Sequence, residues 1–247
     1  MRPALRLLPL LLLVLLNPAR SATLTPHRVE YAVGISILHG RLTTVVTKVD
    51  SGFMASSVIE PVGLSKLLAH GSIQESSYFV VDGRDVRPEQ YRSIDTLSRE
   101  NQHVTFDFNW YEETVKGTVN EQPIRFTLNG RVHDRVSIQY QLMLDLLNGG
   151  ASERYFMLDG DEMKQLEVKS IGSRHVSVPY GEFEAIGIQH RKKDSSRITT
   201  LWCVEELGFL PVIIEQHHHG KLRVRARLTE YQPMTPSGAK AADPVSD

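Results

Sequence analysis

The chain has 247 residues with 28 Lys+Arg against 29 Asp+Glu, and this near balance excludes the strongly basic surface that holds nucleic acid by charge. Hydrophobic residues make up 41% of it, enough for one packed core without a membrane domain. The single cysteine, Cys203, excludes an intramolecular disulfide, so packing alone must hold the fold.

Arg2 and Arg6 flank the start of an apolar run from Leu7 to Leu16, and Ala19-Arg20-Ser21 then sets small residues three and one before a cleavage point. This pattern predicts a secretory signal peptide over residues 1–21. The run is about half of the roughly 20 residues needed to cross a bilayer. The expectation is therefore an exported, soluble protein, periplasmic in a diderm bacterium, with no transmembrane anchor after cleavage. No cysteine stands directly after the leader, so lipid attachment at the new N-terminus is not expected.

Strict alternation begins after the leader. Val29, Tyr31, Val33, Ile35 and Ile37 fall on one side of an extended segment, and the small or polar Glu30, Ala32, Gly34 and Ser36 fall on the other. A half-buried strand is predicted there. Further strands are predicted over Leu42–Val49, Phe53–Ile59, Ser72–Val81, Gln90–Ser93, His103–Phe108, Ile124–Leu128, Arg154–Met157, Leu166–Ile171, Val176–Pro179, Phe183–His190, Arg197–Val204, Phe209–Gln216 and Leu222–Thr229. They are short, punctuated by Gly, Pro, Asn and Asp, with too few helices between them for parallel crossovers. The predicted fold is mostly β: an antiparallel curved sheet or half-open barrel in one domain over residues 22–231.

Two helices are predicted. Pro61–His70 forms a short one that packs Val62, Leu64, Leu67 and Leu68 before Gly71 stops it. Asp134–Asn148 forms the prominent one: Asp134 caps its first amides, Val136, Tyr140, Met143, Leu144 and Leu147 make its apolar side, and Gly149-Gly150 ends it. It is expected to cover the curved sheet. In the C-terminal hairpin, Leu222, Val224, Ala226 and Leu228 point inward and Lys221, Arg223, Arg225 and Arg227 outward. Residues 232–247, rich in Pro, Ala, Ser and Asp, are read as a disordered tail.

The chemistry-bearing patterns are few. Cys203, between Trp202 and Val204, reads as a buried inert thiol. His217-His218-His219 reads as a solvated turn, because neighbours on an extended chain point to opposite faces and only two of the three converge. No metal or other cofactor is expected. Arg223, Arg225 and Arg227 put three cations on one strand face, which serves either as a solvated surface or as a contact for an anion or a partner protein. Phe106, Phe108 and Trp110 share a strand face; with Tyr140, Met143 and Leu144 of the helix they form either core or the wall of a hydrophobic ligand site. No nucleophile elbow, paired-histidine zinc motif or phosphate-binding glycine loop occurs, so no catalytic residue is assigned. Asp107, Asp134, Glu75 and Glu182 are the carboxylates whose convergence would signal acid–base chemistry.

Several segments together resemble the bacterial exported family called domain of unknown function 3108 (DUF3108). They are Tyr31-Ala32-Val33-Gly34, Glu75-Ser76-Ser77-Tyr78-Phe79, Arg87-Pro88 with Tyr91, Phe106-Asp107-Phe108, Asp134-Arg135-Val136-Ser137, Val178-Pro179-Tyr180-Gly181-Glu182-Phe183, Trp202 and Leu210-Pro211-Val212, spread over residues 28–230. The resemblance implies an envelope location and a curved β-sheet, similar in plan to carriers that hold an acyl chain beneath a helix. The resulting expectation is a non-enzymatic periplasmic protein that binds a hydrophobic or amphipathic ligand such as a lipid. The alternative is an assembly module that contacts an envelope partner through a sheet edge or the basic hairpin.

Overall fold

The computed structural model describes residues 23–234, so the predicted signal peptide and all but the start of the predicted tail lie outside the described residues. Eight strands come first: β1 (His27–Ile35), β2 (Leu38–Val49), β3 (Gly52–Pro61), β4 (Ile73–Asp82), β5 (Asp85–Asp95), β6 (Gln102–Asn109), β7 (Thr114–Val119) and β8 (Gln122–Thr127). The chain then crosses through the short β9 (Val132–His133) and the helix α1 (Ser137–Leu147). It returns as β10 (Arg154–Asp159), β11 (Glu162–Val178), β12 (Gly181–Lys192), β13 (Arg197–Val204), β14 (Leu210–His218) and β15 (Lys221–Pro233).

All 15 strands join one sheet in the order β8-β7-β6-β5-β4-β3-β2-β1-β15-β14-β13-β12-β11-β10-β9. Among the described residues the first and last strands, β1 and β15, pair with each other at its middle, and only the β9–β10 pairing is parallel. The edges β8 and β9 do not pair with each other, so the sheet is curved and open rather than a closed barrel. This is the mostly β, half-open arrangement expected from alternation and turn spacing.

Alternation decides which side of the sheet is inside. Val29, Tyr31 and Val33 of β1 and Ala226 and Leu228 of β15 are buried, as are Phe79 of β4, Tyr91 of β5 and Phe106 of β6. The hydroxyl of Tyr31 donates to the Pro211 carbonyl at 2.8 Å, which satisfies its polar end inside the core. The helix lies within the curve and is buried on two sides. Val136, Tyr140, Met143 and Leu144 join the large apolar cluster, whereas Leu142 and Leu146 join a second cluster with Tyr155, Ile188, Leu201 and Cys203.

Several expectations are corrected. The predicted helix Pro61–His70 is instead a 3-10 turn over Gly63–Leu67, because Gly63 adopts φ +56° at the third position. Leu64, Leu67 and Leu68 consequently stand 82%, 74% and 69% exposed instead of packing. The first strand ends at Ile35, and Ser36-Ile37 forms the turn to β2, which puts Ile35 and Ile37 outside the core. Leu222 is also exposed, because it lies next to the β14–β15 turn. Leu166–Ile171 and Val176–Pro179 belong to one long strand, β11, kept continuous across a register shift between Ser170 and Ser173 by Gly172 at φ +88°. On α1, Leu142 and Leu146 are buried on a side not foreseen as apolar, because a sheet curled around a helix covers more than one stripe. β15 runs to Pro233, and its last residues pair with His27 and Arg28 of β1.

Candidate functional site

The start of α1 is fixed by a buried acid. Asp134 Oδ1 accepts the backbone N–H groups of Val136 and Ser137, both at 2.8 Å, and Oδ2 accepts the hydroxyls of Ser77 at 2.7 Å and Ser137 at 2.9 Å. The capping role expected of Asp134 is met, with β4 tied in through Ser77. Burial pushes this carboxyl up to about 6, and the four hydrogen bonds pull the other way. Arg135 reaches Glu75 at 3.1 Å and Asp159 at 3.8 Å, and Tyr91 donates to Glu75 at 2.6 Å. Burial, and then the charge of Glu75, raise the Tyr91 phenol above its ordinary range.

The four inspected carboxylates do not share a cleft. Glu75 is held by Arg135 and Tyr91, and Asp134 by its own cap network. Asp107 is exposed on β6 between Gln90 and Lys116, and Glu182 is exposed near the β11–β12 turn, 3.6 Å from His175. Cys203 is buried, which pushes its thiol up to about 12. Among the described residues no group of three or more His, Cys, Asp or Glu side chains is placed to hold a metal ion.

The aromatic and helical residues singled out as a ligand wall are brought together as packed side chains. Phe106, Phe108, Tyr140, Met143 and Leu144 are all buried in the large cluster, with Tyr91 stacked on Phe106 at 5.4 Å and Phe79 on Tyr140 at 5.1 Å. Trp110 is half-buried, its indole N–H donating to the Pro88 carbonyl at 2.7 Å, and it borders a depression with Val86, Leu128 and Arg131. The arginine row is exposed, but Glu215 neutralises its middle member: Arg225 Nε and a terminal nitrogen lie 2.8 Å and 2.7 Å from one carboxylate oxygen. Arg223 and Arg227 make no ion pair among the described residues.

The open space lies on the other side of α1. A groove of about 720 Å³ runs between the helix end with its following loop, Leu146 and Gly150–Arg154, and strands β11 and β12. Leu146, Val168, Ile186 and Ile188 supply its apolar surface, and Glu153, Arg154, Glu167 and Lys169 its charged rim. A second depression of about 420 Å³ is lined by Arg135, Lys164, Arg191, Lys192 and Arg197, with Asp159 as its only acidic lining residue. The two lie end to end along β11 and β12: Val168 of the first is in register with His190 of the second, and Leu166 of the second follows two residues along the same face. Tyr155, in register with Leu166, is buried in the second apolar cluster beneath them, its hydroxyl donating to Asp145 at 2.6 Å.

Four of the five cations are engaged by carboxylates: Arg135 by Glu75, Lys164 by Asp159, Arg191 by Glu167 and Lys192 by Glu162. Arg197 has no ion-pair partner among the described residues. Burial pushes His190 down to about 4, so it stays neutral in this depression at pH 7. An apolar compartment end to end with one that offers Arg197, unpaired among the described residues, can hold an amphiphile lengthwise, chain in the first and acidic head at Arg197. None of these residues was assigned a binding role from sequence, and Arg135 stood out only within a segment that carries the family resemblance. Ile186 and Ile188 were placed only within the predicted strand Phe183–His190, and which face of that strand borders open space depends on where α1 ends.

The structure thus defines a β-barrel-like protein: an open antiparallel sheet curled around one helix, with a two-part trough beside that helix. The chain belongs to the DUF3108 family, described as proteins of unknown function, whose model matches residues 27–218. Comparison with curated proteins gives no match. Among solved structures it is similar to a beta-barrel-like protein of domain of unknown function DUF1849 from Brucella abortus, at a TM-score of 0.59 and 11% identity, covering 85% of this chain and 98% of that one. At that identity the likeness concerns the fold alone.

Proposed function

We propose that the protein is an exported, non-enzymatic protein of the cell envelope, periplasmic in a diderm bacterium, that binds an anionic amphiphile such as a fatty acid or related lipid. The observation that carries this reading is the junction of the groove floored by Leu146, Val168 and Ile188 with the depression lined by Arg135, Lys164 and Arg197. The leader pattern Arg2 to Ser21 supports export, and no helix among the described residues is long and apolar enough to cross a membrane.

Titration with a fluorescent fatty acid tests the reading. Val168 is half-buried on the groove floor, so Val168→Trp fills the space with a side chain the strand accommodates. It is expected to weaken binding at least ~10-fold, the worth of about 1.4 kcal/mol. Arg197→Glu is expected to weaken the acid and leave its uncharged methyl ester unaffected. If both variants bind the acid as the unaltered protein does, the trough is not its site.

A further inference from the structure

One end of the sheet is turned inside out. In the β3–β4 connection the polar Ser65 is 6% exposed while its neighbours Leu64, Leu67 and Leu68 are 82%, 74% and 69% exposed. The turn is pinned in that orientation: the backbone N–H of His39 donates to Ser65 Oγ at 2.8 Å, and the Val62 N–H donates to the His39 carbonyl at 3.0 Å. The leucines therefore face outward as a consequence of hydrogen bonding, in a segment that the rest of the fold holds in place.

Two neighbouring turns present the same chemistry. Hairpins of an antiparallel sheet alternate between its two ends, so the β1–β2 and β3–β4 connections share an end, and the pairings Gly40 with Pro61 and Ile35 with Val224 bring the β14–β15 turn to it as well. The β1–β2 turn accordingly stands beside the leucine turn with Ile37 78% exposed and Ile35 41% exposed. The β14–β15 turn follows with Leu222 42% exposed, two residues from Val224, the partner of Ile35. Six large apolar side chains thus crowd one end of the sheet, where scattered single residues would be ordinary.

Charge selects what covers them. Residues 35–40, 61–72 and 217–224 contain no Asp or Glu, although the chain carries 29 of them, and they contain Lys66, Lys221, Arg223 and five histidines. Farther along the flanking strands, Glu60 and Glu215 are each held by an arginine, Arg41 at 3.6 Å and Arg225 at 2.7 Å. The apolar groups protrude from three separate turns instead of lining a groove, so they suit a fluid interface better than a shaped protein pocket. Apolar tips flanked by Lys66, Lys221 and Arg223, with the acids of this end (Asp95, Glu100 and Asp194) set on the neighbouring β5–β6 and β12–β13 connections, supply the two elements of attachment to an anionic bilayer surface: buried hydrocarbon and attraction to acidic headgroups.

We propose that this end of the sheet docks on the surface of an anionic lipid bilayer, with Leu64, Leu67, Leu68 and Ile37 entering the headgroup region and Lys66, Lys221 and Arg223 resting on acidic lipids. This surface is distinct from the trough and does not require the trough to be filled. Docking would leave the cation-lined depression, whose His218 and Arg197 lie at the same end, facing the membrane.

The test places an environment-sensitive fluorophore on the full chain at Leu67→Cys or, as a control at the opposite end, at Tyr111→Cys, where the native residue is 98% exposed. The native Cys203 is buried and does not compete for label. With vesicles of phosphatidylcholine and phosphatidylglycerol, the Leu67 probe is expected to shift to the blue and be quenched by spin-labelled lipid, and the Tyr111 probe to stay unchanged. Reversing Lys66, Lys221 and Arg223 to Glu is expected to cut the Leu67 response at least ~10-fold, since each basic residue contributes about 1 kcal/mol at such a surface. The proposal is overturned if both probes respond alike or neither does, or if charge reversal changes nothing. It is equally overturned if the Leu67 probe shifts with rising protein concentration alone, which would make this end a contact between copies of the chain.

Discussion

His133 and Asp134 are adjacent, both buried, and titrate in opposite directions. Burial pushes His133 down to about 3, and neither of its ring nitrogens has a hydrogen-bond partner. Between its unfolded value near 6.5 and its folded value, the unfolded chain binds a proton that the folded one refuses, so stability falls with falling pH in that window. The loss through His133 between pH 7 and pH 5 is about 2 kcal/mol. Asp134, raised to about 6 from 3.8, works the other way: the folded chain holds its proton first, so this residue stabilises below its unfolded value and that contribution is lost as pH rises through 6. Its gain between pH 7 and pH 5 is about 1 kcal/mol, so the histidine wins. Urea unfolding at the two pH values is expected to show His133→Leu flattening the acid loss and Asp134→Asn steepening it. Equal pH slopes in all three proteins would contradict this assignment.

At the scale of elements, α1 is tied to the sheet by a buried amide. β6 joins β5 only from Gln90 onward, which leaves the early part of β5 without that neighbour. Gln141, fully buried, fills in: its Oε1 accepts the Val86 N–H at 2.7 Å, and its Nε2 donates to the Arg84 carbonyl at 2.9 Å and to Asp145 at 2.8 Å. Gln141→Leu keeps the volume and orphans these groups, at a cost of about 3 kcal/mol. A fall in denaturant midpoint at unchanged slope is the expected result; a midpoint equal to that of the unaltered protein would show the amide to be dispensable.

The same elements show what was legible beforehand. β1 was plain because Val29, Tyr31 and Val33 alternate with small or polar partners, and α1 because Asp134 and Gly149 mark its ends. β7 was missed because Gly117 interrupts Thr114–Val119, yet that glycine is what allows pairing: a Cβ there would fall on the Thr105 carbonyl oxygen. The first half of β5 was missed because Pro88 reads as a breaker, whereas it sits at a register shift opposite Phe79. The leucine turn misled most. Leu64, Leu67 and Leu68 have helical spacing, and only the positive φ of Gly63 and the Ser65 anchor, both tertiary facts, turn them outward.

At the scale of the molecule, the open sheet explains why the trough escaped sequence reading. Phe106, Phe108 and Tyr140 advertised an apolar wall, but the meander from β1 to β8 closes tightly around them. Space remains where α1 stops at Leu147, because β10 pairs with β11 only as far as Glu167 and leaves Val168 onward bordered by the loop after the helix. No residue pattern announces a gap of that kind. It follows from the unequal lengths of two neighbouring strands.

Native mass spectrometry of the protein isolated from its own cells, without detergent, tests the central claim most directly. The trough account predicts an added mass of one acidic amphiphile on the unaltered protein, released as a lipid on collisional activation and lost in Val168→Trp. A bare protein mass throughout, or an adduct retained at full occupancy in Val168→Trp, would contradict it.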